Sequence, residues 1–278
     1  MKIPHRLFRR DRERPALEPV APSVAPTTPT IDVDAILARS IVLVPFHSYI
    51  EPDVDVCLKQ LDRLRPGLVK TFKGSSAIDL TRCLCASKAL ADGFDQLLFV
   101  DADVMFDPVD AVRLLCLSDP VVAGVYASKK MGNGRLNVHF DPAIGKVHFG
   151  PKADRLYPAL KVGAGFLRIK TDVLDRMRAQ LQLPLCRMAE DYGWPFFMPF
   201  HGPEGGEQRY YAEDYAFCKR LEACGIPLMI DTSFRLYHIG GYAYGWEEAR
   251  GFFVPRERDV DLDFEERPVP CPTSNEAS

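Results

Sequence analysis

Short unbroken apolar runs alternate along the chain with longer stretches in which apolar residues recur every three or four positions, the pattern of buried strands separated by amphipathic helices. Ile41-Val42-Leu43-Val44 is the first run and stops at Pro45; Pro52 and Asp53 then open a helix carrying Val56, Cys57, Leu61 and Leu64. Leu68 to Phe72 predicts a short second strand. After Gly74-Ser75-Ser76 a helix is expected from about Ile78 to Asp92, packed through Leu80, Cys83, Leu84, Ser87, Leu90 and Ala91 and stopped by Gly93. Leu97 to Val100 is the third buried strand, followed by a helix with Asp107 as cap, Pro108 in its first turn and Asp110 near the positive end of its dipole. Val121 to Tyr126 is the next strand. Strands and helices alternating at this spacing predict an α/β fold with a doubly wound, mostly parallel sheet flanked by helices, because parallel neighbours need a crossover helix.

The pattern then changes. Leu136 to Phe140 and Lys146 to Phe149 are short alternating runs around Asp141-Pro142, which read as a small antiparallel hairpin added to the sheet. Val162 to Ile169 reads as a strand whose Gly163 and Gly165 mark a close approach of backbone or ligand; a helix capped by Thr171 and packed through Val173, Leu174, Met177 and Leu181 follows. The aromatic, glycine-rich stretch from Trp194 to Tyr211 is expected to be an irregular lid or binding loop. Glu213-Asp214 opens a helix with Phe217, Cys218, Leu221 and Cys224 on its apolar face and Gly225 as its stop, and Leu228-Met229-Ile230 is the last strand. His238 and Gly240-Gly241 lie beyond it. There is no internal repeat and no GxGxxG fingerprint.

Composition adds the ends and the compartment. Residues 1–38 carry Pro15, Pro19, Pro22, Pro26 and Pro29 and have little to bury, so they are expected to form a flexible arm ahead of one folded domain over residues 39–254, with a polar tail over residues 255–278. Arg6, Arg9 and Arg10 with Leu7 and Phe8 would support only weak peripheral contact with an anionic membrane, since Asp11 and Glu13 dilute the charge. A length of 278 residues at 47% hydrophobic content is ample for one large core, and a net charge of -3 gives no bulk attraction to nucleic acid. Eight cysteines without a CxxC pair read as small core residues in a reducing compartment. The N-terminus lacks a signal-peptide core and no apolar run approaches the ~18 residues of a membrane span, so a soluble, cytoplasmic protein is expected.

The chemistry concentrates at element ends. Asp101 and Asp103 close the third strand; in an extended segment side chains alternate, so both would point to one side and present several oxygens to a hard cation. Open α/β sheets place ligand crevices at such strand ends. Glu213 and Asp214 sit where acids stabilise a helix start whatever their function, and the same position suits a general base. His238, between Tyr237 and Ile239, reads on its own as a buried hydrogen-bonded histidine, and as a metal ligand if it meets the Asp pair in space. Lys129 and Lys130 read as a solvated pair, with phosphate contact as the alternative. Trp194, Phe196, Phe197 and Tyr211 read as packing groups or, alternatively, as a platform for a sugar ring.

Taken in order, the strand ending at Pro45, the Asp101-Ala102-Asp103 motif, the Gly163-Ala164-Gly165-Phe166 strand, the Glu213-Asp214 helix and the late His238 resemble the GT-A fold, nucleotide-sugar-dependent glycosyltransferases over residues 40–245. Leu97 to Asp103 followed by a helix and then Val121-Val122-Ala123-Gly124-Val125-Tyr126 is particularly similar to bacterial members close to the large inverting family. The resemblance implies a GT-A-like (Rossmann-like) sheet and a UDP- or GDP-sugar as donor. It also implies Mn2+ or Mg2+ held by Asp103 with His238, and Asp101 at the ribose or a metal-bound water. Pro45, Phe46, His47, Asp79 and Arg82 would line the nucleotide pocket. Asp214 would take the proton of an acceptor hydroxyl on a glycan, a lipid-linked sugar or a protein, Glu213 would bind acceptor or sugar, and direct displacement would invert the anomeric carbon. The first strand departs from the family by reading Pro45-Phe46-His47-Ser48, without the Asn-Glu often found after that proline.

Three alternatives remain open on sequence. A haloacid-dehalogenase-like phosphatase also carries Asp-x-Asp after an apolar strand, but normally in the first strand with Thr or Ser next, whereas Val104-Met105 follow here. A sugar-phosphate nucleotidyltransferase would need a glycine-rich, basic phosphate loop after the first strand, which is lacking. A non-catalytic nucleotide- or sugar-binding module would bind donor without turnover.

Overall fold

The computed structural model describes residues 31–74, 77–130, 134–150, 156–233 and 235–246, and the backbone of 261–264. The elements in chain order are α1 (Val33–Ala38), β1 (Ser40–Phe46), α2 (Pro52–Leu64), β2 (Val69–Lys73), α3 (Ile78–Ala91), β3 (Gln96–Val100), β4 (Val104–Met105), α4 (Pro108–Leu115) and β5 (Val121–Gly124). There follow β6 (Val138–Phe140), β7 (Lys146–Phe149), β8 (Leu156–Val162), β9 (Phe166–Lys170), α5 (Thr171–Gln180), β10 (Cys186–Met188) and β11 (Asp191–Gly193). The chain ends with β12 (Phe200–Glu204), β13 (Glu207–Tyr211), α6 (Glu213–Ala223), β14 (Leu228–Asp231), β15 (Tyr237–Ile239), β16 (Ala243–Tyr244) and β17 (Asp261–Phe264).

The central sheet has the order β2-β1-β3-β9-β5-β14-β8-β6. β1 is parallel to β2 and β3, and β5 is parallel to β14; β9 runs against β3 and β5, and β8 against β14 and β6. The expected α/β class with a mostly parallel sheet flanked by helices is therefore present. Its central strands β1, β3, β9 and β5 are buried on both faces because alternate residues enter different cores. Ile41, Leu43, Leu97 and Phe99 join α3, α5 and α6 through Cys83, Val173 and Phe217, while Val42, Val44, Leu98 and Val100 join α1, α2 and α4 through Leu37, Leu61 and Leu114.

Several expectations change in detail. β1 continues through Pro45 to Phe46. Val42 N–H donates to Leu68 on the β2 side, so by alternation Pro45 would face the β3 side, where pairing has already ended at Leu43. α3 buries Cys83, Cys85, Ala86 and Ala89 and leaves Leu80, Leu84 and Leu90 at the margin and Ala91 exposed, because its small side chains let it lie close to the sheet. Thr171 is the first residue of α5 and donates its hydroxyl to Phe94 O instead of capping the helix. The runs expected to pair with each other find other partners: β6 pairs with β8, and β7 with β17. An added antiparallel hairpin does form, at β12 and β13, within the stretch expected to be irregular. Gly205 and Gly206 both take positive φ there, as a two-residue hairpin turn requires.

The flexible arm expected over residues 1–38 gives way to α1 at Val33, because the Asp32 side chain caps its amide at Ala35 and Leu37 is buried. The rest of that arm lies outside the described residues. The polar tail expected from residue 255 contains β17; the remainder of the tail also lies outside them. Among the described residues no helix is long and apolar enough to cross a membrane.

Candidate functional site

A cleft of about 340 Å³ opens where β1 and β3 end, lined by Pro45, Phe46, His47, Ser48, Tyr49, Glu51, Ile78, Asp101, Ala102, Asp103 and Lys129. β3 is a continuous apolar strand that stops at Val100, and the chain then turns, with Val104 N–H donating to Asp101 O at 3.1 Å. That turn corrects the expectation of an extended Asp pair. The two carboxylates line one cleft but go to different partners, Asp101 to Arg82 and Asp103 to Lys129 and His238.

Asp103 belongs to the His238 side. β15 runs antiparallel to β4 with His238 opposite Val104, and Ile239 N–H donates to Asp103 O at 2.7 Å. This two-residue pairing brings a late histidine to the motif: His238 Nε2 lies 3.4 Å from Asp103 Oδ2, and Lys129 Nζ lies 2.7 Å from the same oxygen. Burial would raise the Asp103 carboxyl, but His238 and Lys129 outweigh it and bring the group down to about 2. His238 Nδ1 lies 3.0 Å from Ala127 O. A carbonyl can only accept, so Nδ1 carries the proton. That hydrogen bond fixes the ring with Nε2 facing Asp103 Oδ2, so imidazole and carboxylate open toward the same point of the cleft. Imidazole with carboxylate is a donor set that suits Mn2+, and Asp103 with His238 would leave the other positions of such an ion to water or a ligand. Among the described residues no group of three or more His, Cys, Asp or Glu side chains is placed to hold a metal by itself.

Asp101 belongs to Arg82. The Arg82 side chain is only 3% exposed; Nη2 donates to Asp101 Oδ1 at 2.7 Å, Nη1 donates to Ala164 O at 3.2 Å, and Nε lies 4.0 Å from Glu213 Oε1. Burial would lower the Arg82 pKa, but Asp101 and Glu213 overcome it and hold the guanidinium charged. Arg82 is not among the side chains that line the cleft; it is buried and joins the motif to α6. Its position in α3 between Thr81 and Cys83, on a face of small residues, is the sequence signal that a buried charge pair was needed. Asp79 is in the first turn of α3, half-buried, one residue past the lining Ile78.

Glu213 and Asp214 occupy the first turn of α6. Burial, with Glu213 next to it, pushes the Asp214 carboxyl up to about 6 despite Tyr215 N–H donating to it at 2.7 Å. Tyr126, 7% exposed, is influenced by both Asp101 and Asp214, and burial raises its phenol well above the usual range. The expected site residues on β1, β3, α6 and β15 are thus brought to one end of the sheet.

Tyr126 and Asn137 were not expected on sequence. The Tyr126 hydroxyl sits where a Cβ at Gly163 would be 3.0 Å away and one at Gly165 only 2.4 Å away; the latter would also lie 2.6 Å from Asp101 Oδ2. Asn137 Oδ1 accepts from Tyr126 N–H at 2.9 Å. The Gly163-Ala164-Gly165 motif is therefore read as room for Tyr126 and Asp101. Gly165→Ala is expected to cost about 1–3 kcal/mol in denaturant unfolding, as overpacking does; an unchanged midpoint would mean the site relaxes freely.

The aromatic residues take the packing role, not that of a sugar platform. Phe196 and Phe197 are fully buried, Phe197 stacks on Phe217 at 4.4 Å between centroids, Tyr211 is 3% exposed, and Trp194 is half-buried under Arg178. These rings pack the core beside α6.

No family model matches the chain, and a search of curated proteins returns no significant relative. Among solved structures the chain is similar to A197 from STIV, at 18% identity and a TM-score of 0.46 over 73% of this chain and 86% of that one. It is also similar to GalNAc-T7, solved with UDP, GalNAc and Mn2+, at 14% identity and a TM-score of 0.43 over 74% of this chain and 44% of that one. Both likenesses are distant.

Proposed function

We propose that this protein is a metal-dependent glycosyltransferase that moves a sugar from a nucleotide-diphosphate sugar to an acceptor hydroxyl with inversion. The observation that supports this most is the meeting of two polar clusters at one sheet end: Asp103 with His238 on one side, and Asp101, Arg82, Glu213 and Asp214 on the other. A cleft of about 340 Å³ beside them is in the size range of small-ligand sites.

In this reading Pro45, Phe46, His47 and Asp79 contact the base and ribose of a UDP- or GDP-sugar, with Asp101 turned to the ribose by Arg82. Asp103 and His238 hold Mn2+ or Mg2+, which when bound offsets the charge that grows on the leaving diphosphate. Glu213 orients the sugar or acceptor. Asp214 takes the proton of the acceptor hydroxyl, which attacks the anomeric carbon opposite the leaving group and inverts it. A carboxyl held near 6 is charged at neutral pH yet basic enough to accept that proton, which makes Asp214 a better base than an ordinary surface aspartate.

The test is a thermal-shift panel of UDP-, GDP-, CMP- and dTDP-sugars with and without Mn2+. A UDP- or GDP-sugar with Mn2+ is expected to raise the melting temperature by several degrees at saturation, and Asp103→Ala to remove the shift. The metal-diphosphate reading fails if no nucleotide sugar shifts the wild type, or if the Asp103→Ala variant shifts equally. Trapping of a covalent aspartyl-phosphate would instead point to a phosphatase.

A further inference from the structure

Lys129 Nζ and His238 Nε2 converge on a single oxygen, Asp103 Oδ2, at 2.7 and 3.4 Å. The imidazole is fixed by its other nitrogen on Ala127 O, and the lysine stem runs against the turn after β15, where a Cβ at Gly240 would lie 3.2 Å from Lys129 Cδ. Both ends of the ion pair are about one-third exposed, at 34% and 35%, and both residues line the cleft. An ammonium at this oxygen and a divalent cation on Asp103 and His238 compete for the same lone pairs, because like charges so close repel strongly. Lys129 also has the means to leave: a flexible four-carbon stem and three donors suit phosphate oxygens as well as a carboxylate.

We propose that Lys129 gates cation binding: it holds Asp103 in the ligand-free protein and moves to phosphate oxygens when a nucleoside diphosphate enters, so that nucleotide and divalent cation bind cooperatively. The gate rests on the nucleotide-sugar reading above and adds a coupling that reading does not require. By linkage, the coupling is reciprocal: whatever factor the nucleotide adds to cation affinity, the cation adds to nucleotide affinity.

Isothermal titration of Mn2+ into the full chain, alone and saturated with UDP or GDP, tests this on wild type, Lys129→Met and Lys130→Met. Methionine keeps the stem and removes the charge; the Lys130 variant removes the same charge one residue away. Lys129→Met is expected to bind Mn2+ alone about two- to fivefold more tightly than wild type, the range a partly exposed ion pair worth up to about 1 kcal/mol can oppose. Its nucleotide-dependent gain should shrink by the same factor, and Lys130→Met should behave as wild type. The gate is overturned, and the function reading kept, if wild type and Lys129→Met take up Mn2+ equally with nucleotide and equally without it. Both fall if neither protein takes up Mn2+ in the presence of either nucleotide.

Discussion

Asp214→Asn is expected to lower sugar transfer by about 10²- to 10⁴-fold while leaving donor binding intact, and to make the folded protein more stable at neutral pH. The two effects share one cause. Burial beside Glu213 lifts the Asp214 carboxyl from its ordinary value to about 6, so the folded state prefers the neutral form. The cost of charging it is fully present above about pH 6 and fades as pH falls toward the unfolded value near 4. A shift of about two units corresponds to roughly 3 kcal/mol; loss of the favourable carboxylate at the α6 N-terminus offsets part of it. A net gain on the order of 1–2 kcal/mol is expected for the variant at pH 7.5, vanishing near pH 4, in denaturant titrations at the two pH values. Wild-type transfer should fall as pH drops through about 6, where the base becomes protonated. Loss of stability at pH 7.5 would show that Asp214 is a structural cap and not a group strained for chemistry.

Arg82→Met is expected to be the most destabilising single change at the site, by about 3–5 kcal/mol, since removing one partner strands a charge in a buried pair. Arg82 is the cation beneath the cleft that meets both Asp101 and Glu213, and it also satisfies the carbonyl of Ala164 in the turn between β8 and β9. Unfolding in denaturant measures the loss. Adding Asp101→Asn should recover at least about 1 kcal/mol, because the stranded carboxylate is then gone. Strict additivity of the two changes would sink the coupling. Arg82→Lys keeps the charge but not the planar fork that serves Asp101 and Ala164 together, and should recover only part of the stability.

Much of the frame is legible in the sequence. β1, β3, β5 and β14 are apolar runs of ordinary strand length, α2, α4 and α6 carry a helical period with an apt start or stop, and Gly93 and Gly225 take the positive φ that makes glycine a helix stop. Those signals are local: they depend on side-chain period and on backbone freedom at single residues. The candidate acids were visible for the same reason, since a carboxylate pair at the end of an apolar strand or at a helix start stands out against its neighbours.

Pairing and partner choice were not legible. Residues 146–149 read as half of a hairpin with residues 136–140, yet β7 lies beside β17, over a hundred positions further along the chain in sequence number. Strand pairing is decided by which edges and faces meet in the folded core, and any alternating run satisfies the same local pattern. Phe196 and Phe197 read first as packing groups, with a sugar platform as the alternative, and burial decided for core.

The sequence by itself determined the alternating α/β frame, the strand end that carries Asp101 and Asp103, and the helix start that carries Glu213 and Asp214. Only the tertiary structure decided their partnerships. The two-residue ladder between β4 and β15 brings His238 to Asp103, and a buried arginine on α3 joins Asp101 to Glu213. The reason is physical. Period and propensity act within a few residues, whereas a carboxylate's charge, proton and partner are set by whichever groups the fold brings within a few ångströms of it, however far apart they lie in the chain.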